Sequence, residues 1–566
     1  MPLRLLVGPA NAGKVARLLD QYVRWLDEEP CLVVPNRGEV DRIEREILRR
    51  SPGVVGGWIG TFDDLFEQIA APLGHGAVVS APQRRLLLRR VSAAQPLNGL
   101  GRSARSDGFT DALAEAVREV ESALVEPASL AAELAALVSS YRAGLLRVGL
   151  EDREGLQRIA VTRLQSDLDA WDRRPIVAYG FEDLTAAQWA LLEGLSARAE
   201  VVVSLPYEPG RRVFEAVRPT ADDLMRLASD VEELPPGDWG QADALAHLER
   251  SLFELPRAST PPLGGAVRFL EASGTRASLE LVAEEILHLI ASGTAPEAIT
   301  VVCPDIERIR RSFELAFGAF GVPFVVDSGE RLTRTSFGRA LIALLRFAWQ
   351  EGERSDLFAF LRSRFSGIGR SRVDFVEGRL RGRAVRKRDR VEAETTRLLE
   401  GPLELLDALR AGTDPVTAVR ELAHAMMTAA WNPVAPSPSD QLGHDLLAHE
   451  TVETVLGELA HWRELDQAVE PNDLVAALER ARQPAPRAGR GRIVLTDLLR
   501  ARTRRTEALV VVGLEEGVLP RRGSESPFLP DEERRRIDTA TPRARLVRPD
   551  VLARDRYLFY AACTRA

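Results

Sequence analysis

Lysine, cysteine and long apolar runs are scarce in this chain of 566 residues. Arginine fills all but two of the 75 basic positions, and the exceptions are Lys14 and Lys387. No apolar run approaches the roughly 18 residues that a membrane-spanning helix needs, so no membrane span or membrane partner is predicted. The three isolated cysteines are too few for a four-cysteine zinc or iron–sulfur site, and they are typical of a reducing cytoplasm. We therefore expect a cytoplasmic protein.

Patterns of common hydrolase sites are also missing, and the overall charge is weakly acidic. The seven histidines form no His-Glu-x-x-His pattern, and no Gly-x-Ser-x-Gly occurs. No metal site is predicted from the residues. The net charge of -8 argues against a uniformly basic nucleic-acid binder, although it allows a local basic groove. The composition, with 45% hydrophobic and 28% charged residues, is that of a globular protein, and the length predicts several domains.

The rare Lys14 ends a phosphate-binding pattern. An apolar run, Leu3–Val7, precedes Gly8-Pro9-Ala10-Asn11-Ala12-Gly13-Lys14, and an amphipathic segment follows. Strand, G-x-x-x-x-G-K and helix together form the P-loop pattern, in which lysine supplies a compact charge on a flexible stem. The pattern predicts that Gly8, Gly13 and Lys14 hold a nucleotide's phosphates. The alternative is a glycine-rich turn before an ordinary helix.

The residue after the lysine departs from the pattern. A working P-loop has Ser or Thr there, whose hydroxyl holds Mg²⁺, and this chain has Val15. We therefore expect phosphate binding, with ATP as the candidate ligand and Mg²⁺ left open, but not efficient hydrolysis.

Short β-branched apolar runs alternate with helical patterns, which predicts an α/β protein with parallel sheets. The predicted strands are Leu3–Val7, Cys31–Val34, Ile176–Tyr179, Val201–Leu205, Val267–Glu271, Ile299–Cys303, Pro323–Val326, Arg492–Thr496 and Leu509–Val512. Two long stretches between these strands are almost wholly helical. We predict a first lobe of residues 1–80 and 171–260 with a helical insertion at 81–170, and a second lobe of 265–345 and 488–566 with an insertion at 346–487.

This plan, two RecA-like P-loop lobes that each carry a helical insertion, is that of UvrD-type superfamily 1 helicases. Two late segments resemble motifs of that family in the right order. Asp555–Ala566, which reads DRYLFYAACTRA, resembles motif VI, and Val510–Pro520, which reads VVVGLEEGVLP, resembles motif V. In such helicases the arginine of motif VI reaches the γ-phosphate, where it stabilises developing charge. The resemblance implies that role for Arg565, as an arginine finger.

Within that superfamily the chain resembles the B subunits of AddAB-type helicase–nucleases. The segments that carry the resemblance are the P-loop at the start of the chain, Cys31–Asn36, Tyr141–Asp152 and Tyr179–Gln188. The resemblance implies a heterodimer with an AddA-type motor subunit, and single- and double-stranded DNA ends as ligands. It also implies a role in double-strand break resection and homologous recombination, in which this subunit holds the 3′-ended strand without acting as the motor.

The segment Gly180–Gln188 stands where a helicase carries its Asp-Glu box. That box needs one carboxylate at the strand end for Mg²⁺ and a second to activate water. The predicted strand ends in Tyr179-Gly180, and Glu182 and Asp183 come a few residues late. We interpret Glu182 and Asp183 as a degraded Walker B element, and the alternative is a structural turn.

Two regions are candidates for contact with DNA. Thr61 and Phe62 lie in a segment that resembles helicase motif Ia, although Thr61 could equally be the N-cap of the helix that starts near Asp63. Arginine is concentrated between Arg362 and Arg390, where Arg386, Lys387 and Arg388 are the candidate phosphate contacts. The alternative for this segment is a set of solvated helix faces.

Members of the resembled family also carry a C-terminal nuclease domain with iron–sulfur cysteines. This chain has no Glu-x-Lys element, and it stops at Ala566 within the motif VI pattern. We expect a fragment whose nuclease domain, and any iron–sulfur cluster, lie beyond residue 566. Three hypotheses follow: a non-motor DNA-binding subunit, an active ATP-dependent translocase of the UvrD type, and a scaffold that only binds AddA.

Overall fold

The computed structural model describes residues 3–566 except 52, 54, 55, 75, 98–100, 238–241, 256–259, 432–439, 466, 487, 488 and 524. Its strands, in chain order, are β1 Leu3–Gly8, β2 Cys31–Val33, β3 Trp58–Gly60, β4 Ala77–Val78, β5 Leu150–Glu151, β6 Ile176–Ala178, β7 Val201–Pro206, β8 Asp230–Glu233, β9 Ile299–Val302, β10 Phe324–Val326, β11 Glu330–Arg331, β12 Arg482–Gln483, β13 Ile493–Thr496 and β14 Ala508–Val511.

The α-helices outnumber the strands in the described residues. In chain order they are α1 Lys14–Arg24, α2 Arg37–Arg50, α3 Phe62–Ala70, α4 Ala81–Ala94, α5 Asp107–Ser122, α6 Ala132–Val148, α7 Arg153–Ser166, α8 Ala186–Ser196, α9 Arg218–Leu227, α10 Asp243–Ser251, α11 Gly274–Ala291, α12 Ile306–Phe320, α13 Ser336–Trp349, α14 Arg354–Leu361, α15 Arg370–Gly382, α16 Arg388–Leu399, α17 Glu404–Ala411, α18 Pro415–Ala430, α19 Asp440–Glu464, α20 Pro471–Arg480, α21 Leu498–Ala501, α22 Asp531–Ala540 and α23 Val551–Cys563.

The first sheet is parallel and has the order β3-β2-β6-β7-β1-β8. Strand β1 pairs with β7 on one side and with β8 on the other, so only β7 separates β1 from β6. Leu5, Val203 and Val177 are almost completely buried, as expected for central strands of a parallel sheet with both faces covered. The carboxyl ends of β1 and β6 lie at one edge, where α/β proteins commonly bind ligands.

The second sheet is also parallel, with the order β10-β13-β9-β14. Helices α11 and α12 pack together, and Phe313 and Phe317 of α12 lie in one core with Ile299 of β9 and Leu495 of β13. The prediction of an α/β protein with parallel sheets is therefore confirmed. Most predicted strands form within one residue of their expected bounds.

One predicted strand, Val267–Glu271, is wrong. This segment pairs with no strand, and the side chain of Phe269 is 83% exposed. An apolar run forms a strand only where a sheet edge is open to hydrogen-bond its backbone N–H and C=O groups. The apolar pattern of a segment does not show whether such an edge is available. The short strands β3 and β8, which were not predicted, do find such edges at either side of the first sheet.

The chain forms two compact units. The first contains both sheets and consists of Met1–Val79, Val91–Asp327 and Arg487–Ala566, and the second consists of Ser80–Arg90 and Ser328–Pro486. The interior of the second unit is built from helices, among which α13 packs on α14, α19 and α20. Helices dominate residues 81–170 and 346–487, as predicted. Among the described residues, no helix combines the length and apolar character that crossing a membrane requires.

The last helix, α23, joins the core of the first sheet. Tyr557 and Tyr560 are 3% and 1% exposed, and their rings lie 6.2 and 5.3 Å from that of Phe214, which follows β7. Val302 of β9 and Leu498 of α21 belong to the same cluster. A single hydrophobic core therefore extends from the first sheet to elements of the second, and it places the end of α23 beside the loop after β1.

Candidate functional site

The loop between β1 and α1 has the backbone geometry that its glycines allow. Gly8 has φ 151°, and a Cβ there would come within 2.6 Å of the carbonyl oxygen of Leu234. Gly13 has φ 80° and caps α1 at its N-terminus, where an L side chain would be strained. The predicted order of strand, loop and helix is therefore confirmed. The N-terminus of α1 lies directly after this loop, which is the arrangement found in anion sites at helix N-termini.

Lys14 is buried and turned back into its own loop. Its ammonium donates hydrogen bonds to the carbonyl oxygen of Gly8, at 2.9 Å, and to that of Pro9. Burial, and secondarily the charge of Arg565, lowers the pKa of Lys14 from 10.5 to about 7. Within the described part of the chain, Lys14 forms no ion pair. An anion such as a phosphate would stabilise the charged form of this lysine.

Arg565 lies close to Lys14 and is half-buried. Its Nε donates to the carbonyl oxygen of Ala561 at 3.1 Å, and its Nη2 donates to Oγ1 of Thr564 at 3.3 Å. Burial lowers its pKa, while three surrounding phenol groups oppose that change, those of Tyr179, Tyr557 and Tyr560. No carboxylate in the described ranges pairs with Arg565. The fold thus brings together the two cations that the sequence predicted for phosphate binding.

Hydrogen bonds also link the loop to α23. The backbone N–H of Ala10 donates to the hydroxyl of Tyr560 at 3.2 Å, and the side-chain amide of Asn11 donates to the carbonyl oxygen of Thr564 at 2.9 Å. These contacts join residues more than 500 positions apart in sequence. The conformation of the loop is therefore fixed by the protein's own groups on α23.

A phenol, and not a carboxylate, follows β6 at this edge of the first sheet. Tyr179 follows β6 directly, and its hydroxyl donates to Oε2 of Glu39 at 3.2 Å. Glu39 also accepts from Arg42 at 2.7 Å and from the hydroxyl of Thr503 at 2.8 Å. The pKa of Tyr179 is raised by burial and by the charge of Glu39. The carboxylate of Glu39, which Tyr179 contacts, therefore already accepts hydrogen bonds at both of its oxygens.

The two predicted Walker B residues do not converge on the loop. Glu182 forms an ion pair with Arg502 and accepts a 3.4 Å hydrogen bond from the hydroxyl of Tyr557. Asp183 is solvent-exposed. No set of three His, Cys, Asp or Glu side chains with metal-binding geometry occurs in the part of the chain that the structure describes. Val15, half-buried on α1, has no oxygen to offer a cation. The residues present fit a phosphate better than they fit Mg²⁺.

Sequence reasoning missed a group of polar residues beside the loop. The guanidinium of Arg211, which follows β7, donates to the backbone carbonyl oxygen of Glu249 on α10 at 2.7 Å. The same guanidinium lies 5.3 Å from the ring centre of Tyr560 and forms an ion pair with Glu208. No local pattern could have identified these residues, because their contacts join parts of the chain that are distant in sequence.

The predicted DNA contacts lie in two different environments. Thr61 caps α3 with a complete capping box, and the Phe62 ring is buried 4.5 Å from that of Phe181, so the capping alternative is confirmed. Arg386 and Lys387 lie in the exposed connection between α15 and α16, and the exposed Arg388 is the first residue of α16. Arg388 donates to the carbonyl oxygen of Gln350 at 3.0 Å.

Acidic side chains pair with many arginines of this region, but not with Arg386 or Lys387. The paired ones are Arg362, Arg370, Arg381, Arg383, Arg388 and Arg397. Within the described residues, Arg386 and Lys387 form no ion pair. The connection therefore keeps uncompensated positive charge available to a phosphate backbone.

No protein-family profile matches the chain. Several curated relatives do, and each is described as the B subunit of an ATP-dependent helicase/deoxyribonuclease. The protein from Symbiobacterium thermophilum is 24% identical over 100% of this chain and 57% of its own length. That from Heliobacterium modesticaldum is 26% identical over 100% of this chain and 54% of its own length. The Desulforudis audaxviator protein is 25% identical over 67% of this chain and 36% of its own length.

The chain thus spans about half the length of the curated relatives that it matches from end to end. The similarity is low but continuous, and it recurs in several relatives with the same description. The chain is therefore a homologue of the B subunits of ATP-dependent helicase/deoxyribonucleases.

Proposed function

We propose that this chain is a helicase-like, non-motor, DNA-binding subunit of an AddAB-type helicase–nuclease, acting in double-strand break resection and homologous recombination. It would bind a nucleotide's phosphates through the loop from Gly8 to Lys14 and through Arg565, without efficient turnover. The relatives are described as one subunit of a larger enzyme, which supports a complex with a partner. An AddA-type motor subunit is the candidate for that partner.

The observation that carries this proposal is the chemistry at the end of β6. Tyr179 follows β6 at the point where the resemblance to helicases would place a metal-binding carboxylate, and its partner Glu39 is hydrogen-bonded to Arg42, Tyr179 and Thr503. Hydrolysis of ATP needs a cation held between protein and phosphates, together with an oriented water. Lys14 and Arg565 can stabilise bound phosphates, but neither supplies those two elements.

Packing of α23 supports a non-motor role as well. A translocase converts nucleotide binding and release into closing and opening of the cleft between its two lobes. In this chain the rings of Phe214, Tyr557 and Tyr560 lie in one hydrophobic core that also contains Val302 of the second sheet. Opening such a cleft would expose that apolar surface to water at each cycle, which is unfavourable.

The rival hypothesis, an active ATP-dependent translocase of the UvrD type, rests on the retained pair Lys14 and Arg565. Hydrolysis of ATP by the chain, measured with and without single-stranded DNA, separates the two. We expect no DNA-stimulated hydrolysis above that of a Lys14→Met variant. Stimulated turnover that Lys14→Met abolishes would instead support the translocase.

Burial of Lys14 predicts a pH-dependent stability. Its pKa is about 7 in the folded protein and 10.5 ordinarily, so between these values the unfolded chain binds the extra proton. The free energy of unfolding should then rise as the pH increases from about 7 towards 10. Lys14→Met should remove this rise, which urea denaturation at pH 6.5 and 9.5 would measure.

The only other lysine provides the matched control. Lys387 is exposed, so Lys387→Met should keep the wild-type dependence on pH. Identical pH profiles for Lys14→Met and the wild type would contradict the burial argument.

The connection between α15 and α16 predicts a salt-dependent contact with DNA. Each cation that neutralises a phosphate of single-stranded DNA contributes about -0.7 to the slope of log K against log salt. Replacing Arg386, Lys387 and Arg388 by alanine should reduce the magnitude of that slope by about 2, and weaken binding by at least about tenfold at low salt. Fluorescence anisotropy with a labelled oligonucleotide across a salt series measures both quantities.

A control variant removes the same charge from arginines that are already paired with acids. Arg49, Arg118 and Arg276 each form an exposed ion pair within their own helix. Their triple alanine variant should bind DNA nearly as the wild type does. An equal loss of DNA affinity in both triple variants would mean that only the net charge of the chain determines binding.

The scaffold hypothesis has its own outcome. It would be supported if the wild type binds the AddA-type partner but binds no DNA.

A further inference from the structure

Helix α15 carries an exposed aromatic ring shortly before its connection to α16. Phe375 lies near the middle of this helix, and the residue is 55% exposed. The other phenylalanines of the second unit are all buried, and they are Phe337, Phe347, Phe358, Phe360 and Phe365. The exposed ring is therefore not part of the core that holds this unit together.

The ring of Phe375 lies on the outer face of α15. Val373, Val376 and Leu380 form the buried face, where α15 packs on α14 and α16. The residues that share the outer face with Phe375 at helical spacing have small side chains or none, and they are Ser371, Gly378 and Gly382. A Cβ added at Gly378 or Gly382 would meet no described group within 4 Å apart from the backbone of α15 itself. A planar ligand therefore has open space beside the ring.

A guanidinium group lies over the same ring. The central carbon of the Arg379 guanidinium is 5.3 Å from the ring centre of Phe375, which lies one turn earlier on α15. This distance is within the range of a cation–π interaction. Among the described residues, Arg379 forms no ion pair. Its charge is therefore available to an anion from outside the chain.

The end of α15 leads from the ring directly to the uncompensated charges of Arg386 and Lys387. The ring lies about 10 Å along the helix from its last residue, Gly382. The backbone N–H of Val385 then donates to the carbonyl oxygen of Leu380 at 3.0 Å, which folds the connection back onto the last turn of the helix. An exposed ring, a guanidinium and two further cations thus follow one another in one short segment of the chain.

We propose that Phe375 and Arg379 form a stacking site for an unpaired base of single-stranded DNA, whose neighbouring phosphates are held by Arg386 and Lys387. This inference rests on the proposed DNA-binding function and adds the residues that recognise a single strand. Every base has a face that can stack on an aromatic ring, so the stacking site tolerates different sequences. Bases of a duplex are stacked on one another, and a side chain reaches their faces only after they are unstacked. The stacking site therefore favours single-stranded over duplex DNA.

The test compares three labelled probes of equal length by fluorescence anisotropy with the whole chain. They are an oligothymidylate, an abasic strand with the same phosphates, and a duplex. Phe375→Ala should weaken binding of the oligothymidylate about tenfold, as loss of one contact between a base and an aromatic ring does. Binding of the abasic strand and of the duplex should not change, because neither offers an accessible base. The slope of log K against log salt should also stay as in the wild type, because no cation is removed.

Further variants separate stacking from apolar contact and from exposure. Phe375→Trp keeps a planar ring and should bind the oligothymidylate at least as tightly as the wild type does. Phe375→Leu keeps an apolar side chain without a ring and should bind as weakly as Phe375→Ala. The control Phe269→Ala removes a ring of the first unit that is 83% exposed, and it should bind all three probes as the wild type does.

Each contrary result has a separate meaning. Equal affinities of Phe375→Ala and the wild type for the oligothymidylate would overturn the stacking site and leave the phosphate contacts standing. An equal loss for the oligothymidylate and the abasic strand would also overturn it, because the ring would then support the fold of the unit. Unchanged DNA binding together with lost binding of the AddA-type partner would assign the ring to a protein interface instead. Failure of the wild type to bind any probe would overturn the proposed DNA-binding function, and the inference with it.

Discussion

Replacing Tyr560 by alanine is expected to destabilise the first unit by about 3–5 kcal/mol, which is the usual cost of truncating a buried aromatic residue. The Tyr560 ring is 1% exposed and packs edge-on against Phe214 at 5.3 Å. The variant would leave a cavity between α23 and the first sheet. It would also leave the N–H of Ala10 without the hydroxyl that accepts its hydrogen bond.

Tyr560→Phe separates the two contributions. It keeps the ring and removes only the hydroxyl, so we expect a loss of about 1 kcal/mol. Urea denaturation measures both effects, and hydrogen exchange assigns them: amides of β7 and α23 should lose protection in Tyr560→Ala, whereas helices of the second unit should not. Equal free energies of unfolding for Tyr560→Ala and the wild type would mean that the packing of α23 does not stabilise the core of the first sheet.

Removing the carboxylate of Glu121 should have an effect of similar size. Its side chain is 1% exposed and accepts hydrogen bonds from Arg142, at 2.7 and 3.2 Å, and forms an ion pair with Arg158. These three residues tie together α5, α6 and α7. Glu121→Ala would leave two partly buried guanidinium groups without their shared anion. Breaking a buried ion pair in this way costs about 3–5 kcal/mol.

An exposed ion pair supplies the control for Glu121. Glu280 pairs with Arg276 along α11, where the arginine side chain is 90% exposed. Glu280→Ala should change the free energy of unfolding by no more than about 0.5 kcal/mol, as exposed helix pairs do. Thermal and urea denaturation of the two variants measure the contrast. Equal effects would show that burial of Glu121 adds nothing to its ion pairs.

Local structure around the loop was predictable from the residues. The apolar run before Gly8, the amphipathic segment after Gly13 and the need for positive φ at Gly13 are all local properties. They determine a strand, a turn and a helix irrespective of the rest of the chain. The departures from the helicase pattern were also visible, because Val15 and the Tyr179-Gly180 strand end are part of the motifs themselves.

Partners of these residues were not predictable. The hydroxyl of Tyr560 lies 550 positions from Ala10 in sequence, and Thr503 lies 464 positions from Glu39. Neither contact follows from periodicity, because each depends on which strand edges and helix faces meet. The wrong strand at Val267–Glu271 has the same origin, since its apolar pattern is genuine but no sheet edge is available to pair with it.

The amino-acid sequence by itself thus determined the α/β class, the strand, loop and helix around Gly8 to Lys14, and the helical stretches. Propensity, periodicity and glycine conformation act over a few residues, so they can be read directly from the order of residues. Only the tertiary structure decided that Lys14 is turned into its own loop, that Glu182 is paired with Arg502, and that Ala10 is hydrogen-bonded to Tyr560. Those outcomes depend on which distant groups share a buried space, where each charge and each polar atom must find a partner.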